Sequence, residues 1–481
     1  MKLFISLILL VLFALPAWGA TWYVTPTGAG SANGTSLDNA YAGFADAWAL
    51  PGDIDDGDTL CIVDTFTGAA QSQVGGGSPW MIRVLDGGVD GQPITLDGDC
   101  DGDGVRAKLD GADEVAVGIK MDTTAEMPKY INVRDLEITG MTSAGISAFR
   151  TAATDELVDQ FHLYEGLWIH DSNIGFTSRG GRITLNDSII EDVQDDAVFH
   201  RGADFSSDGL IARRFSLGTD TGDGIQIAGG PGDGFRVTNY TCVDTRDKKQ
   251  CFIIAGVTDG GDDGLLEDFD FTGVDGGTVS NGVYVTGTGS TVRRGIVRGF
   301  NRGVDIESSA DADGVSVSSV ISVGATEYGF HIPVGAGSGN AFTHVVASGA
   351  EDGIKIESTA AQSVQNSIAI GASGCGIDLA VGSATEDHND SYDNGTNFCA
   401  GGSSTDAGTG SFSLDPLFIG GPNPTTADGF RLKPNSPLIG TGDIGAKYDY
   451  DNKRCGNPSN IGVFCSVYQD TRSSYSIRTD Y

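Results

Sequence analysis

The sequence predicts an all-β protein, a right-handed parallel β-helix, on three observations. A short block, Gly or a small residue followed by apolar, variable, apolar, recurs ten times from Gly145-Ile-Ser-Ala148 to Gly376-Ile-Asp-Leu379, at intervals of 21 to 31 residues. Each interval also carries an earlier alternating strand, such as Leu136-Glu-Ile138, Phe269-Asp-Phe271 or Ile368-Ala-Ile370. No 3.6-residue periodicity separates the strands, which excludes the helical crossovers of a doubly wound sheet. Repeats of this length signal a solenoid, in which each coil stacks on the last at ~4.8 Å and alternate side chains are buried. Ile225 and Ile227, Val283 and Val285, Ile354 and Ile356 are the expected core positions.

Composition agrees. The chain holds 72 Gly and 53 Asp against 12 Glu and 10 Lys among its 481 residues. Gly and Asp disfavour helix interiors and populate turns. With 39% hydrophobic residues it is too apolar for a disordered acidic chain. A net charge of −36 argues against nucleic-acid and anionic-membrane partners, which require a basic face.

Taken in order, the first element is for export. Lys2, the apolar run from Leu3 to Leu15, Pro16 and Ala17-Trp18-Gly19 follow the layout of a secretory signal peptide over residues 1–19, with cleavage near Gly19/Ala20. The run is too short for a comfortable membrane span. A secreted or periplasmic location follows. Eight cysteines in an exported chain imply disulfides, and proximity pairs them Cys61–Cys100, Cys242–Cys251, Cys375–Cys399 and Cys455–Cys465. Residues 20–129 are expected to form an N-terminal cap and the first coils. Within them Ala40, Tyr41, Phe44, Ala45 and Trp48 have helical spacing after Asp38 and Asn39, and a cap helix is expected there. The β-helix follows over 130–400. From 401 to 481 the repeat is lost, and this stretch is expected to cap the other end, since exposed strand edges invite aggregation.

Thr21-Trp-Tyr-Val-Thr-Pro-Thr-Gly28, Gly57-Asp-Thr-Leu60, Gly91-Gln-Pro-Ile-Thr95 and the run from Tyr130 to Gly140 resemble the entry coils of secreted proteins of the pectate-lyase-like superfamily. Asp415-Pro-Leu-Phe-Ile419, the run from Phe430 to Gly440 and Ile461-Gly-Val-Phe464 resemble the end segment common in the same proteins. The resemblance implies a β-helix whose outward face carries a polysaccharide groove. The superfamily hosts lyases, hydrolases, epimerases and non-enzymatic surface proteins, so it does not fix an activity.

The variable residue of each block forms an outward column: Ser147, Thr177, Phe199, Gln226, Ile253, Tyr284, Asp305, His331, Lys355 and Asp378. Sugars are expected to rest on Phe199 or Tyr284, with Gln226, Arg302, Asp305, His331 and Lys355 as further substrate contacts. Polar residues are also what any outward strand position requires. Catalysis is expected around Asp195, Asp196 and Asp223, where stacked carboxylates must shift a pKa, recruit a cation or splay apart. Gln194-Asp195-Asp196 is similar to the paired Asp of polygalacturonases, but neither Gly-His-Gly nor Arg-Ile-Lys follows. Asp before Gly or Ala also simply makes a turn. A lyase reading adds Arg201 and Lys249, as a cation for a uronate carboxylate and a base. Asp97, Asp99, Asp101 and Asp103, interleaved with Gly, have the spacing of a calcium loop, though Lys108 stands where an EF-hand needs Glu. The resulting expectation is an exported polysaccharide-binding protein that cleaves its glycan by a lyase-type or hydrolytic route. The alternative is a non-enzymatic surface or matrix β-helix used for adhesion.

Overall fold

The computed structural model describes residues 19–47, 54–73, 80–121, 127–148, 159–218, 222–228, 234–245, 250–255, 263–273, 280–379, 384–443, 448–456 and 458–465. The chain is a parallel β-helix divided into two compact units, 1–142 with 160–168, and 143–159 with 169–481.

In the first unit one parallel ladder runs through Thr21–Thr25, Thr59–Ile62, Ile94–Asp97, Ile131–Arg134 and the strand ending at Glu165. Its register stacks Trp22, Leu60, Leu96, Val133 and Tyr164, and the last four are fully buried. The expected cap helix shrinks to a single turn, Phe44–Ala47. Tyr41–Ala42 instead extends beside Val24–Thr25 as a parallel strand, because the sheet offers its backbone more hydrogen bonds than a second helical turn would. Phe44 stacks on Phe66 with ring centroids 4.2 Å apart. Trp48 lies outside the described residues.

In the second unit each full coil contributes to three ladders, one more than the sequence pattern shows, and in some coils, as at Leu265–Gly273, one strand runs through two of them. The first ladder carries the repeated block, and all six expected core positions are buried. A second ladder stacks Val237, Leu266, Val292, Val317, Phe342 and Val364. A third stacks Ile190, Ala212, Cys242, Phe271, Val297, Ser322, Ala347 and Ala369. The corner between these two ladders is left-handed in nine consecutive coils, at Asp187, Gly209, Asn239, Asp268, Arg294, Ser319, His344, Asn366 and His388. A left-handed residue is costly except for Gly, Asn and Asp, so this corner accounts for part of the Asp and Gly excess. Ten of the non-Gly residues with positive φ are Asp and none is Glu.

The irregular C-terminal segment covers the unit in two ways. Ser403–Ser404 pairs antiparallel with Thr396–Ala400, the strand stacked on the last block, and Thr409 and Phe412 bridge to Asp387 and Asp390. Beyond it, Phe418, Phe430, Leu432, Leu438, Ile461, Val463 and Phe464 pack along the side of four successive coils, on Ile296, Ile321, Val346 and Ile368. All four expected disulfides are present. No helix among the described residues is long and apolar enough to cross a membrane.

Candidate functional site

The predicted column exists in register, but Ser147, Thr177, Asp305, His331 and Asp378 are buried in it rather than exposed. Ser147 pairs with Thr177, Thr177 with Phe199, Phe199 with Gln226, Gln226 with Ile253, and Ile253 with Tyr284. Tyr284 then pairs with Asp305, Asp305 with His331, His331 with Lys355, and Lys355 with Asp378. From Phe199 to Asp378 the column climbs seven steps, about 34 Å at ~4.8 Å per coil. Its lower half, Phe199 to Tyr284, is half-buried and partly aromatic.

The upper half is a dense ionic network. His331 lies between two carboxylates, with Nδ1 2.7 Å from Asp305 Oδ1 and Nε2 3.2 Å from Glu357 Oε2. Arg302 donates to Asp305 at 2.9 Å and to Glu327 at 2.8 Å. Lys355 bridges Asp352 at 2.9 Å and Asp378 at 2.8 Å. The Tyr328 ring fills the space between these groups, 4.4 Å from His331, with Arg302 and Lys355 over its faces at 5.3 and 5.8 Å.

Glu307 and Glu357 extend the same strands by one residue. The amide of Glu307 donates to the carbonyl of Val285, and that of Glu357 to the carbonyl of Ile332, so both hold equivalent places two coils apart. Burial pushes the Glu307 carboxyl up, aided by Asp311 and Asp305, while a hydrogen bond from Tyr284 opposes the rise. Burial likewise raises the Tyr284 phenol. Neither Glu was among the expected site residues. The available signal was that Ile306-Glu307 and Ile356-Glu357 repeat one motif, with Glu scarce everywhere else.

The expected catalytic cluster serves the stack. Asp196 Oδ1 accepts the amide of Asp223 at 2.6 Å, and Asp223 Oδ1 accepts the amide of Gln250 at 3.2 Å. Both are buried, and each ties its coil to the next. Asp195 holds neighbouring chain through its backbone, donating to Asn173 and accepting from Ser216. Arg201 is half-buried, in register with Arg179 and Ala228. Lys249 lies outside the described residues.

In the first unit Arg134 binds Oδ2 of Asp97 at 2.6 and 2.9 Å, and Oδ1 accepts the amide of Asp99 at 3.1 Å. Asp99, Asp101 and Asp103 place carboxylate oxygens within 4.8 Å of one another. Backbone amides of Gly104 and Val105 fix Asp99 and Asp103 at 2.9 and 2.7 Å. This all-oxygen set fits a hard cation such as calcium.

The architecture decides the fold. It is a parallel β-helix. No family model and no curated protein matches the chain. Among solved structures, XylC in complex with xylose is 10% identical, covering 93% of this chain and 99% of that one, with a TM-score of 0.51. A rhamnogalacturonan lyase is 14% identical over 69% of this chain and 82% of that one, with a TM-score of 0.41. Pectate lyase Pel9A is 16% identical over 93% and 96%, with a TM-score of 0.39. The first of these shares the fold, and the other two are too loosely superposed to add to that.

Proposed function

We propose that this chain is an exported polysaccharide-binding protein that hydrolyses a neutral glycan laid along the column face. The observation that carries this reading is the pair Glu307 and Glu357 beside the in-register column. At two coils apart they stand about 10 Å from each other along the axis. Carboxyl pairs of inverting glycoside hydrolases sit ~6.5–9.5 Å apart, leaving room for a water. Glu307, raised by burial, is the acid that protonates the departing sugar oxygen. Glu357, whose Oε2 lies 3.2 Å from His331 Nε2, is the base that takes a proton from water as its oxygen attacks the anomeric carbon. Phe199, Gln226 and Tyr284 carry sugars below the cleavage point.

Charge favours a neutral glycan over a polyuronate. Asp305, Glu307, Glu327, Asp352, Glu357 and Asp378 outnumber Arg302 and Lys355, and both cations are already paired. Carboxylates accept hydrogen bonds from sugar hydroxyls but repel a uronate. The xylose held by XylC is a neutral sugar. Calcium at Asp99, Asp101 and Asp103 would fix their loop and takes no part in bond breaking.

Incubation with a panel of neutral and acidic polysaccharides tests the reading. New reducing ends without unsaturated products are expected, with Glu307→Gln and Glu357→Gln each lowering kcat about 10²- to 10⁴-fold. Unsaturated uronate products would overturn it in favour of a lyase. Binding without cleavage would return the reading to a matrix protein, the alternative that the internally paired charges favour.

A further inference from the structure

A separate cluster stands where the C-terminal segment meets the left-handed corner. Gln365 and Asp387 are register partners on adjacent coils, and each is followed by a corner residue, Asn366 and His388. Asp443, from the C-terminal segment, is clamped onto this corner. Its amide donates to Asn366 Oδ1 at 2.9 Å, and its carbonyl accepts from Asn366 Nδ2 at 3.0 Å and Ser459 Oγ at 2.6 Å. Gln365 Nε2 reaches its carboxylate at 3.3 Å. His388 Nδ1 lies 2.7 Å from Asp387 Oδ1. Its imidazole lies against Gly410, where an added Cβ would stand 2.7 Å from Cδ2 and Nε2, so the absence of a side chain there makes room for the ring.

We propose that Asp387, His388 and Asp443 form a zinc site that fastens the C-terminal segment to the solenoid. One donor atom from each lies within 4.8 Å of the other two, and all three residues are half-buried. Tetrahedral zinc with nitrogen and oxygen ligands at ~2.0–2.2 Å requires donors about 3.3 Å apart, a modest contraction from this arrangement. One imidazole and two carboxylates suit zinc and leave a fourth position for water, whereas calcium would take oxygen alone. The three ligands come from two segments about 55 residues apart in sequence, so the ion closes a loop that the backbone clamp on Asn366 has already brought together. The site is independent of the glycan-binding reading.

The test is zinc binding to the chelator-stripped full chain, measured by calorimetry and by the metal retained after gel filtration. One zinc per chain is expected at this site, with a rise in thermal midpoint. His388→Gln and Asp443→Asn should each weaken binding at least about tenfold and abolish that rise. Asp101→Asn, in the separate acidic loop, should leave the zinc affinity unchanged. Cobalt substitution should give visible absorption in the wild type that His388→Gln removes. If either variant fails to fold by circular dichroism, Asp387→Asn carries the same expectation. Absence of stoichiometric zinc, or equal affinity in wild type and the folded variants, overturns the proposal.

Discussion

Asp390 is a fully buried carboxyl whose replacement by Asn should stabilise the protein, and increasingly so as pH rises. Its Oδ1 accepts the amide of Leu414 at 2.9 Å, while its Oδ2 meets no donor among the described residues. Burial, with a smaller contribution from Asp415, raises it from an ordinary 3.8 to about 7. Between those values the unfolded chain has released this proton and the folded chain still holds it, so stability falls as pH rises. Each pH unit removes ~1.4 kcal/mol, which amounts to about 4 kcal/mol above pH 7. Asn keeps the acceptor for Leu414 and cannot ionise. Its second amide hydrogen finds no acceptor, which costs about 1–2 kcal/mol at every pH. The stability of Asp390→Asn relative to wild type should therefore rise by about 3 kcal/mol between pH 5 and pH 8. Urea denaturation of both proteins at the two pH values measures this, and every other titrating group cancels in the difference. A relative stability that stays flat between pH 5 and 8 would refute the reasoning.

Three other perturbations follow from the same geometry. Burial lowers His162 to about 3 and His200 and His344 to about 4. The unfolded chain takes up these protons first, so wild-type stability should drop as pH falls from 6.5 toward 4, offset in part by Asp390; a flat acid profile in urea melts would contradict this. Glu267, nearly inaccessible, accepts from Arg236 at 2.6 Å and from Arg294 at 2.7 Å, and pairs with Arg293 at 2.7 Å. Burial pushes its carboxyl up, but the three arginines outweigh that and hold it low, so Glu267→Ala should lose about 3–5 kcal/mol in urea unfolding. Removing the Cys61–Cys100 link, which spans 39 residues, should cost about 4 kcal/mol against about 2.5 for Cys242–Cys251, which spans 9; equal losses in denaturation of the paired Cys→Ser variants would contradict the loop-entropy account.

The parts of this molecule that repeat were legible in its sequence. Each Gly-apolar-x-apolar block fixes one coil, and because strand side chains alternate strictly, the register of Phe199 on Gln226 or His331 on Lys355 follows from aligning the blocks. The remaining strand of each coil was not legible, since Ala341–Thr343, Ser363–Gln365 and their like bury one large apolar residue each, too few to show an alternation. Asp196 and Asp223 carry two readings for a related reason. A carboxylate that accepts the next coil's amide leaves the same pattern as one poised for catalysis. The clustering of Asp387 and His388 with Asp443 depends on how an irregular segment crosses the coils, which no periodicity encodes.

The left-handed corner has a consequence for how such a surface changes over time. In nine successive coils the turn is made by the backbone, while the residue at that point varies through Asp, Gly, Asn, Arg, Ser and His. The corner therefore favours Gly, Asn and Asp, which take five of the nine places, yet also accepts Arg, Ser and His. Such an edge is a row of interchangeable sockets at one-coil spacing, where a charge, an imidazole or nothing can be installed without altering the coil beneath. Each coil stacks mainly on its immediate neighbours, so a replacement at one socket perturbs about two others. New ion-binding or ligand-binding chemistry can thus be assembled along this edge one coil at a time, while the buried ladders keep the fold unchanged.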